Sequence, residues 1–262
     1  MSGADVVIAD LEDAVAPERK AEARDLVARL RPRVVRINGA ETDWFADDVA
    51  LTGELELDAV VLPKATPEAV EALGPEGPPI IAIVETAQGL RVAYETAASP
   101  RVELLMLGSV DLGVELRLEP RPDGLEILYA RSQLVIDSAA AEIGAPIDVV
   151  HLDFRDLAGL EESARFARSL GFGGKACIHP SHIETIHRAF APSEAEVEWA
   201  RKVVDAFDAA AAVGTGALEV DGEMIDLPVA ERARKVLAEI GQTAAPIVGS
   251  MSKGPERKTP RA

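Results

Sequence analysis

Short apolar runs rich in β-branched residues alternate along the chain with longer segments of helical periodicity. In residues 79–86, apolar side chains occupy both alternate faces of the run, which ends on the carboxylate of Glu85 and on Thr86. Runs that are apolar on both faces are typical of strands in a parallel sheet that is covered on both sides. The pattern therefore predicts repeated strand–helix units and an α/β fold.

Seven strands of this kind are predicted, at residues 5–13, 33–38, 58–64, 79–86, 103–112, 148–153 and 175–180. Predicted helices follow them at residues 17–30, 43–55, 67–73, 87–97, 125–143, 157–170 and 181–189. Such units form parallel sheets with right-handed crossovers. We predict a TIM (β/α)8-type barrel that lacks its first strand–helix unit. An open doubly wound sheet is the alternative, disfavoured because no glycine-rich phosphate loop follows a strand.

The pattern changes after the last predicted strand. Ser193 and Glu196 have the spacing of a capping box at the start of a helix to about residue 212. Asp221 and Gly222 lie between two short apolar runs, which predicts a hairpin, and a helix follows at 229–240. We therefore predict a barrel over residues 1–190, a C-terminal helix and lid segment over 191–240, and a disordered tail over 241–262.

Composition and charge narrow the class of protein. The chain has 262 residues, is 48% hydrophobic and carries a net charge of -18, which argues against a nucleic-acid or acidic-membrane partner. Its one cysteine, Cys177, allows no internal disulfide. Neither a signal peptide nor an apolar run of membrane-spanning length is visible. We expect a cytoplasmic protein with a small-molecule substrate.

Polar residues follow the strands, and strand ends converge on one mouth of a barrel. The residues expected there are Glu12, Asp13, Arg36, Lys64, Glu85, Asp111, Asp153 and His179. Glu85 and Asp111 end neighbouring strands, where a divalent cation such as Mg²⁺ would relieve their repulsion. Arg36 offers a planar fork for a substrate carboxylate. The residues alone thus indicate a Mg²⁺-dependent barrel enzyme acting on a small acid, although Asp10, Asp13 and Asp153 fit helix capping equally well.

At these positions the sequence resembles the citrate lyase β-subunit-like group of the HpcH/HpaI aldolase superfamily, which includes malyl-CoA and citramalyl-CoA lyases. The resemblance rests on Asp-Leu-Glu-Asp-Ala-Val at 10–15, Val-Arg-Ile-Asn at 35–38, Leu-Pro-Lys at 62–64, Ile-Val-Glu-Thr at 83–86, Gly-Ser-Val-Asp-Leu at 108–112, Ile-His-Pro-Ser at 178–181 and Met-Ile-Asp-Leu-Pro at 224–228. It implies a TIM barrel in homotrimers or hexamers. It also implies that Glu85 and Asp111 ligate Mg²⁺ beside the substrate and that Arg36 binds the substrate carboxylate. Asp226 would be the acid/base, on a lid that in relatives closes over the neighbouring subunit's site.

The sequence departs from this family at two places. The family's first strand, of the type Arg-Ser-x-Leu-Phe-Val-Pro-Gly, helps to bind coenzyme A and is not seen here, in agreement with the strand count. Val110 stands where many relatives have Glu.

Lys20, Arg24 and Lys64 are candidate contacts for the CoA phosphates. A solvated helix face is the alternative for Lys20 and Arg24, and a structural or Schiff-base role is the alternative for Lys64.

The resemblance implies carbon–carbon bond cleavage of a 3-hydroxyacyl-CoA, or the reverse condensation. An aldolase acting on free hydroxy-oxo-diacids and a malyl-CoA thioesterase are alternatives on the same fold. A catalytically silent, truncated barrel that acts as an assembly or binding partner is the alternative from another class.

Overall fold

Seven parallel strands form one sheet whose order follows the chain in this computed structural model, which describes residues 3–241. The strands are β1 (Ile8–Asp10), β2 (Val34–Arg36), β3 (Ala59–Leu62), β4 (Ile80–Val84), β5 (Val102–Leu107), β6 (Ile147–Asp148) and β7 (Gly174–Lys175). The sheet is curled, with helices between its strands, which is the predicted TIM-barrel-type fold rather than a doubly wound sheet. In the described part of the chain β1 and β7 are the two ends of the sheet and do not pair with each other.

Nine helices follow or link these strands within residues 3–241. They are α1 (Lys20–Leu30), α2 (Phe45–Gly53), α3 (Pro67–Ala72), α4 (Ala87–Arg91), α5 (Ala93–Ala98), α6 (Ser109–Leu116), α7 (Leu128–Ala140), α8 (Leu157–Leu170) and α9 (Ile183–Phe190). Local chemistry fixes several of their starts: the side chains of Thr66, Thr86 and Asp156 each accept a backbone N–H of the helix that follows. These caps satisfy donors that the first helical turn leaves unpaired.

Both faces of the sheet are buried, as the apolar runs predict. On one face of the sheet, alternate strand residues such as Val35, Val60 and Ala82 belong to a hydrophobic cluster that also contains residues of the helices. The intervening residues, among them Val61 and Ile83, form a separate cluster on the opposite face. Because side chains alternate along a strand, Glu85 extends the row that contains Ile83, and it therefore projects from the face away from the helices.

The predicted strands are longer than the observed ones, and one difference changes the candidate site. The strand predicted at 103–112 ends at Leu107, and Ser109 begins α6. Gly108 is the N-cap residue between them, so Asp111 lies in the first turn of a helix rather than in a strand. The apolar alternation of Val110 and Leu112 misled the prediction, because Leu112 is buried from a helix instead.

The chain divides into two compact units, one that ends at Ile186 and one that begins at His187. The second unit contains α10 (Glu194–Ala212), the antiparallel pair β8 (Leu218–Val220) and β9 (Glu223–Ile225), and α11 (Leu227–Gly241). The predicted capping box of Ser193 and Glu196 is present. Asp221 and Gly222 both have positive φ, 53° and 86°, as a type I′ hairpin turn requires.

The predicted tail, residues 241–262, lies outside the described residues apart from Gly241, the last residue of α11. The predicted domain boundaries at 190 and 240 stay a prediction. None of the helices within residues 3–241 combines the length and the apolar character that crossing a bilayer requires.

Candidate active site

Glu85 lies directly after β4 and is 6% exposed. Its Oε1 accepts a hydrogen bond from the backbone N–H of Lys64, 2.8 Å away, at the end of the neighbouring strand β3. Lys64 has a φ of 47°, a left-handed conformation that few non-glycine residues adopt. Strain of this kind persists where surrounding contacts hold it, and here the residue concerned presents its amide to a buried carboxylate.

Asp111 lies close enough to Glu85 for their charges to interact. Burial raises the pKa of Glu85 to about 7, and repulsion from Asp111 contributes to the rise. Asp111 is half-buried in the first turn of α6, where the positive end of the helix dipole favours a carboxylate. A cation placed near the pair would remove the repulsion between the two acids.

Gly108 leaves the space that the Glu85 side chain occupies. A Cβ at position 108 would lie 2.5 Å from Glu85 Cβ and 2.6 Å from Glu85 Oε2. Real Cβ atoms do not approach neighbours that closely. Gly108 is not among the residues predicted for the site, although a glycine between a strand and a polar helix start is a signal of close approach.

Arg36 ends β2 and is paired in register with Asp10 of β1. Its Nε and Nη2 donate to the two carboxylate oxygens of Asp10, at 2.7 and 2.5 Å. Burial opposes ionisation of Asp10, but the Arg36 hydrogen bonds and the Glu12 and Ala14 N–H groups hold its pKa below the usual value. The edge of the guanidinium formed by Nε and Nη2 is therefore occupied by Asp10. Nη1 is left on the side expected to contact the substrate.

Glu12 faces that remaining nitrogen. Its Oε2 lies 2.9 Å from Arg36 Nη1, but the pair lacks hydrogen-bond alignment, so this buried oxygen has no hydrogen bond. Burial raises the pKa of Glu12 to about 7; Arg36 opposes the rise, and Asp13 and Glu85 add to it. Asp13, with its Oδ2 3.9 Å from Nη1, completes the group around the guanidinium.

A cavity of about 320 Å³ opens beside these charges. It is lined by Glu12, Asp13, Val15, Ala16, Pro17, Lys20, Asn38, Thr42, Trp44 and Lys64. The volume suits a small ligand. Sequence reasoning missed Thr42 and Trp44; their position in the loop after β2 was the available signal, because loops at that end of barrel strands build the sites of this fold.

The three basic residues expected to contact CoA phosphates are engaged in other ways. All three hydrogens of the Lys20 ammonium have acceptors, and the residue is 5% exposed, so the alternative of a solvated helix face is wrong for Lys20. Arg24 donates to Asp47 and Asp48. Lys64 Nζ lies 3.5 Å from Glu41 Oε1. Phosphate contacts by Lys20, Arg24 and Lys64 stay a prediction.

Asp153 and His179, also expected at the mouth, take part in other contacts. Asp153 Oδ1 accepts the N–H of Arg155 in a turn before α8, and the cap of that helix is Asp156, so the capping alternative is wrong for Asp153. The His179 ring stacks on Phe154 with centroids 5.3 Å apart. Asp226 belongs to the second unit, where its Oδ1 accepts the Val229 N–H at the start of α11.

The acid pair fits a cation that draws further ligands from elsewhere. Within residues 3–241, no group of three or more His, Cys, Asp or Glu side chains is arranged to hold a metal ion. Glu85 and Asp111 would supply two ligands, and Mg²⁺ commonly binds to one or two carboxylates while water and substrate oxygens complete its shell. The sequence prediction assumed the same division.

A curled parallel sheet with acids and a guanidinium at the carboxyl ends of its strands defines the chain as a TIM-barrel-type enzyme. Residues 1–180 match the HpcH/HpaI aldolase/citrate lyase family, and the chain belongs to that family. The resemblance seen in the sequence is confirmed.

Relatives match over most of the chain. A (3S)-malyl-CoA thioesterase from Cereibacter sphaeroides is 39% identical over 254 residues, which covers 92% of this chain and 88% of the relative. The citrate lyase subunit beta of Escherichia coli is 35% identical, with 90% and 85% covered. A solved structure of protein CitE from Mycobacterium tuberculosis, in complex with magnesium, acetoacetate and coenzyme A, is 36% identical with a TM-score of 0.83 and covers 92% of this chain and 91% of its own.

Proposed function

We propose that the protein is a Mg²⁺-dependent lyase that cleaves a carbon–carbon bond of a 3-hydroxyacyl-CoA, such as malyl-CoA or citramalyl-CoA, to an acyl-CoA and a 2-oxo acid, or condenses the two. The observation that carries the proposal is the acid pair Glu85 and Asp111 on the barrel face that also presents Arg36. The solved CitE relative holds magnesium, acetoacetate and coenzyme A together, which supports the same combination here.

Glu85 and Asp111 are the proposed metal ligands. When bound, Mg²⁺ supplies Lewis-acid polarisation and a template for the oxo acid. The pair suits such an ion, since its charge would offset both the desolvation and the repulsion that raise the pKa of Glu85. The Lys64 N–H holds one oxygen of Glu85 in place, and Gly108 leaves room for the other.

Arg36 is the proposed contact for the substrate carboxylate. Asp10 holds the guanidinium through Nε and Nη2, so Nη1 is the nitrogen that the substrate would meet. Glu12 lies against that nitrogen and would give way to the incoming carboxylate or bind with it while protonated. An arginine fixed in this way orients its ligand with little loss of side-chain freedom.

Asp226 is the proposed acid/base. It would give a proton to the α-carbon of the departing acyl-CoA, or remove one in the condensing direction. The support is the Met-Ile-Asp-Leu-Pro motif at 224–228. We further propose a homotrimer or hexamer in which the lid that carries Asp226 serves the neighbouring subunit. The cytoplasmic location expected from the sequence stays a prediction.

Incubation of the purified protein with malyl-CoA or citramalyl-CoA and Mg²⁺ tests the function. We expect release of acetyl-CoA with glyoxylate or pyruvate, and we expect Glu85→Ala to abolish it. Glu22→Ala, which removes an exposed carboxylate paired with Arg19, is the matched control and should retain full activity. Turnover that persists in excess EDTA would contradict the proposal.

Thioester hydrolysis is the second candidate, favoured by the malyl-CoA thioesterase relatives. The products separate the two: malate with a free CoA thiol indicates hydrolysis, whereas acetyl-CoA indicates the lyase. The same panel should contain free hydroxy-oxo-diacids, which test the aldolase alternative. A protein that turns over none of these and fails to bind CoA in calorimetry would be the silent assembly partner instead.

A further inference from the structure

Lys20, at the start of α1, has its ammonium group buried beneath the acidic segment that follows β1. Its Nζ donates to the backbone oxygens of Leu11 and Glu12, at 2.7 and 2.8 Å, and to Asn38 Oδ1 at 2.6 Å. These three acceptors use its three hydrogens. The Trp44 ring, with its centroid 4.9 Å from Nζ, packs over the group.

The acceptors of Lys20 are themselves held from the second strand and its helix. Asn38 Nδ2 donates to Leu11 O at 3.0 Å and to Asp48 Oδ2 at 2.6 Å. Asp48 is fully buried and is also paired with Arg24. The network therefore ties the segment after β1 to the segment after β2, independently of the Asp10–Arg36 pair.

These hydrogen bonds fix the backbone of Glu12. A carbonyl held by a buried ammonium fixes the peptide plane, and this sets the direction in which the side chain of the same residue leaves the backbone. Glu12 is held in this way at its own carbonyl and at that of Leu11. Its buried Oε2 has no hydrogen bond, so the geometry of its ion pair with Arg36 depends on where the backbone places the side chain.

We propose that Lys20 is a positioning residue of the active site: its ammonium holds the backbone of Leu11 and Glu12, and thereby the Glu12 carboxylate, against Arg36, instead of binding a substrate phosphate. For its kinetic consequence the inference rests on the proposed function. A phosphate ligand would need free hydrogens directed to solvent, and the Lys20 ammonium has none free.

Kinetics of Lys20→Met separate the two roles. We expect kcat to fall roughly 10- to 100-fold, because small displacements of site groups cost that much, while KM for the acyl-CoA changes by less than about threefold. Lys20→Arg keeps the charge and suits a phosphate, but its planar donors do not converge on three acceptors around one nitrogen. It should therefore lose kcat as well, with the CoA dissociation constant in calorimetry unchanged.

A double-mutant cycle tests whether Lys20 acts through Glu12. In the Glu12→Gln background, Lys20→Met should lower kcat by less than about threefold further, since coupled residues have non-additive effects. Lys175→Met is the matched control. Lys175 Nζ is also buried, 2.7 Å from Asp148 Oδ2, and the residue lies in β7, at the end of the sheet opposite to β1. It should lower the melting temperature and leave kcat per folded molecule unchanged.

Hydrogen exchange gives a readout that needs no activity. Lys20→Met should speed amide exchange in residues 10–15, where Glu12 and Ala14 N–H groups bond to Asp10 and the Val15 N–H bonds to Glu12 O, and Lys175→Met should not. If Lys20→Met does not fold, Asn38→Ser takes its place, because it removes one acceptor of Lys20 and one donor to Leu11.

Three results would overturn the inference: a CoA dissociation constant raised tenfold or more with kcat intact, a kcat loss fully additive with Glu12→Gln, or unchanged exchange in residues 10–15. A wild-type protein without lyase turnover would defeat the proposed function instead, and the exchange measurement would still decide the role of Lys20.

Discussion

At the scale of single residues, the site is defined by carboxylates held where water cannot fully solvate them. Glu12 and Glu85 are each 6% exposed, and burial is the main reason that the pKa of each rises to about 7. A protein gains no stability from such groups at neutral pH. Buried carboxylates of this kind are typical of functional sites. A bound cation or substrate can stabilise the charged form that burial disfavours.

Glu85→Gln should make the metal-free protein less sensitive to pH. The folded-state pKa of Glu85 lies above its ordinary value of 4.5, so its stabilising contribution is present below pH 4.5 and is lost as pH rises to about 7. For this rise, the loss is about 3 kcal/mol. In EDTA, urea unfolding should show the wild type losing more free energy of unfolding than Glu85→Gln between these pH values.

Magnesium should then restore the lost stability. At pH 7.5, added Mg²⁺ should raise the melting temperature of the wild type and leave that of Glu85→Gln unchanged, because a ligand that binds only the folded state stabilises it. Parallel pH profiles of the two proteins in EDTA, or an equal response of both to Mg²⁺, would contradict the assignment of Glu85.

At the scale of helices, strands and turns, the sequence predicted the features that depend on interactions between neighbouring residues. The capping box at Ser193 and the hairpin turn at Asp221 each depend on a few adjacent residues, and both are confirmed. The convergence of Arg36 and Glu85 was also predictable, because parallel strand ends meet at one mouth whatever lies between them.

The remaining features depend on partners far away in the chain. Lys20 looks like a surface lysine of an amphipathic helix until Asn38, 18 residues later, provides an acceptor for its ammonium. The hydrogen bond between the Lys64 amide and Glu85 needs a left-handed conformation that no local signal indicates for a lysine after a proline. The strand ends were misplaced for a similar reason, since Gly108 is recognised as an N-cap only once α6 is seen.

The junction between β5 and α6 provides a prediction at this scale. Gly108→Ala should lower Mg²⁺ affinity and kcat/KM, by roughly 100-fold for a displacement of about 1 Å, because the new methyl group must push Glu85 aside. Magnesium titration by calorimetry and steady-state kinetics measure the two effects.

Gly113→Ala in the same helix is the matched control. Nothing lies within 4 Å of a Cβ at position 113, so this change should leave activity intact and stabilise α6 by about 0.5–1 kcal/mol. Equal activity of Gly108→Ala and Gly113→Ala would show that the close approach to Glu85 is not needed.

At the scale of the whole molecule, the charge balance disfavours the binding of an anion at the site. The chain carries a net charge of -18, and five of its acids surround Arg36 and Lys64 at one mouth: Asp10, Glu12, Asp13, Glu85 and Asp111. An anionic oxo acid would be repelled by this group without a divalent ion beside it. The proposed metal ion would offset this repulsion in addition to its chemical role.

The proposed assembly leads to a complementation test, in which two inactive variants restore each other. If Asp226 serves the neighbouring subunit, co-expressed Asp226→Ala and Glu85→Ala should form mixed trimers or hexamers in which roughly one quarter of the sites combine an intact lid with an intact metal site. Distinct tags isolate the mixed oligomers, light scattering gives their size, and each variant alone should be inactive. Mixed oligomers without activity would place Asp226 at its own subunit's site or outside catalysis, and a monomeric wild type would exclude the shared site altogether.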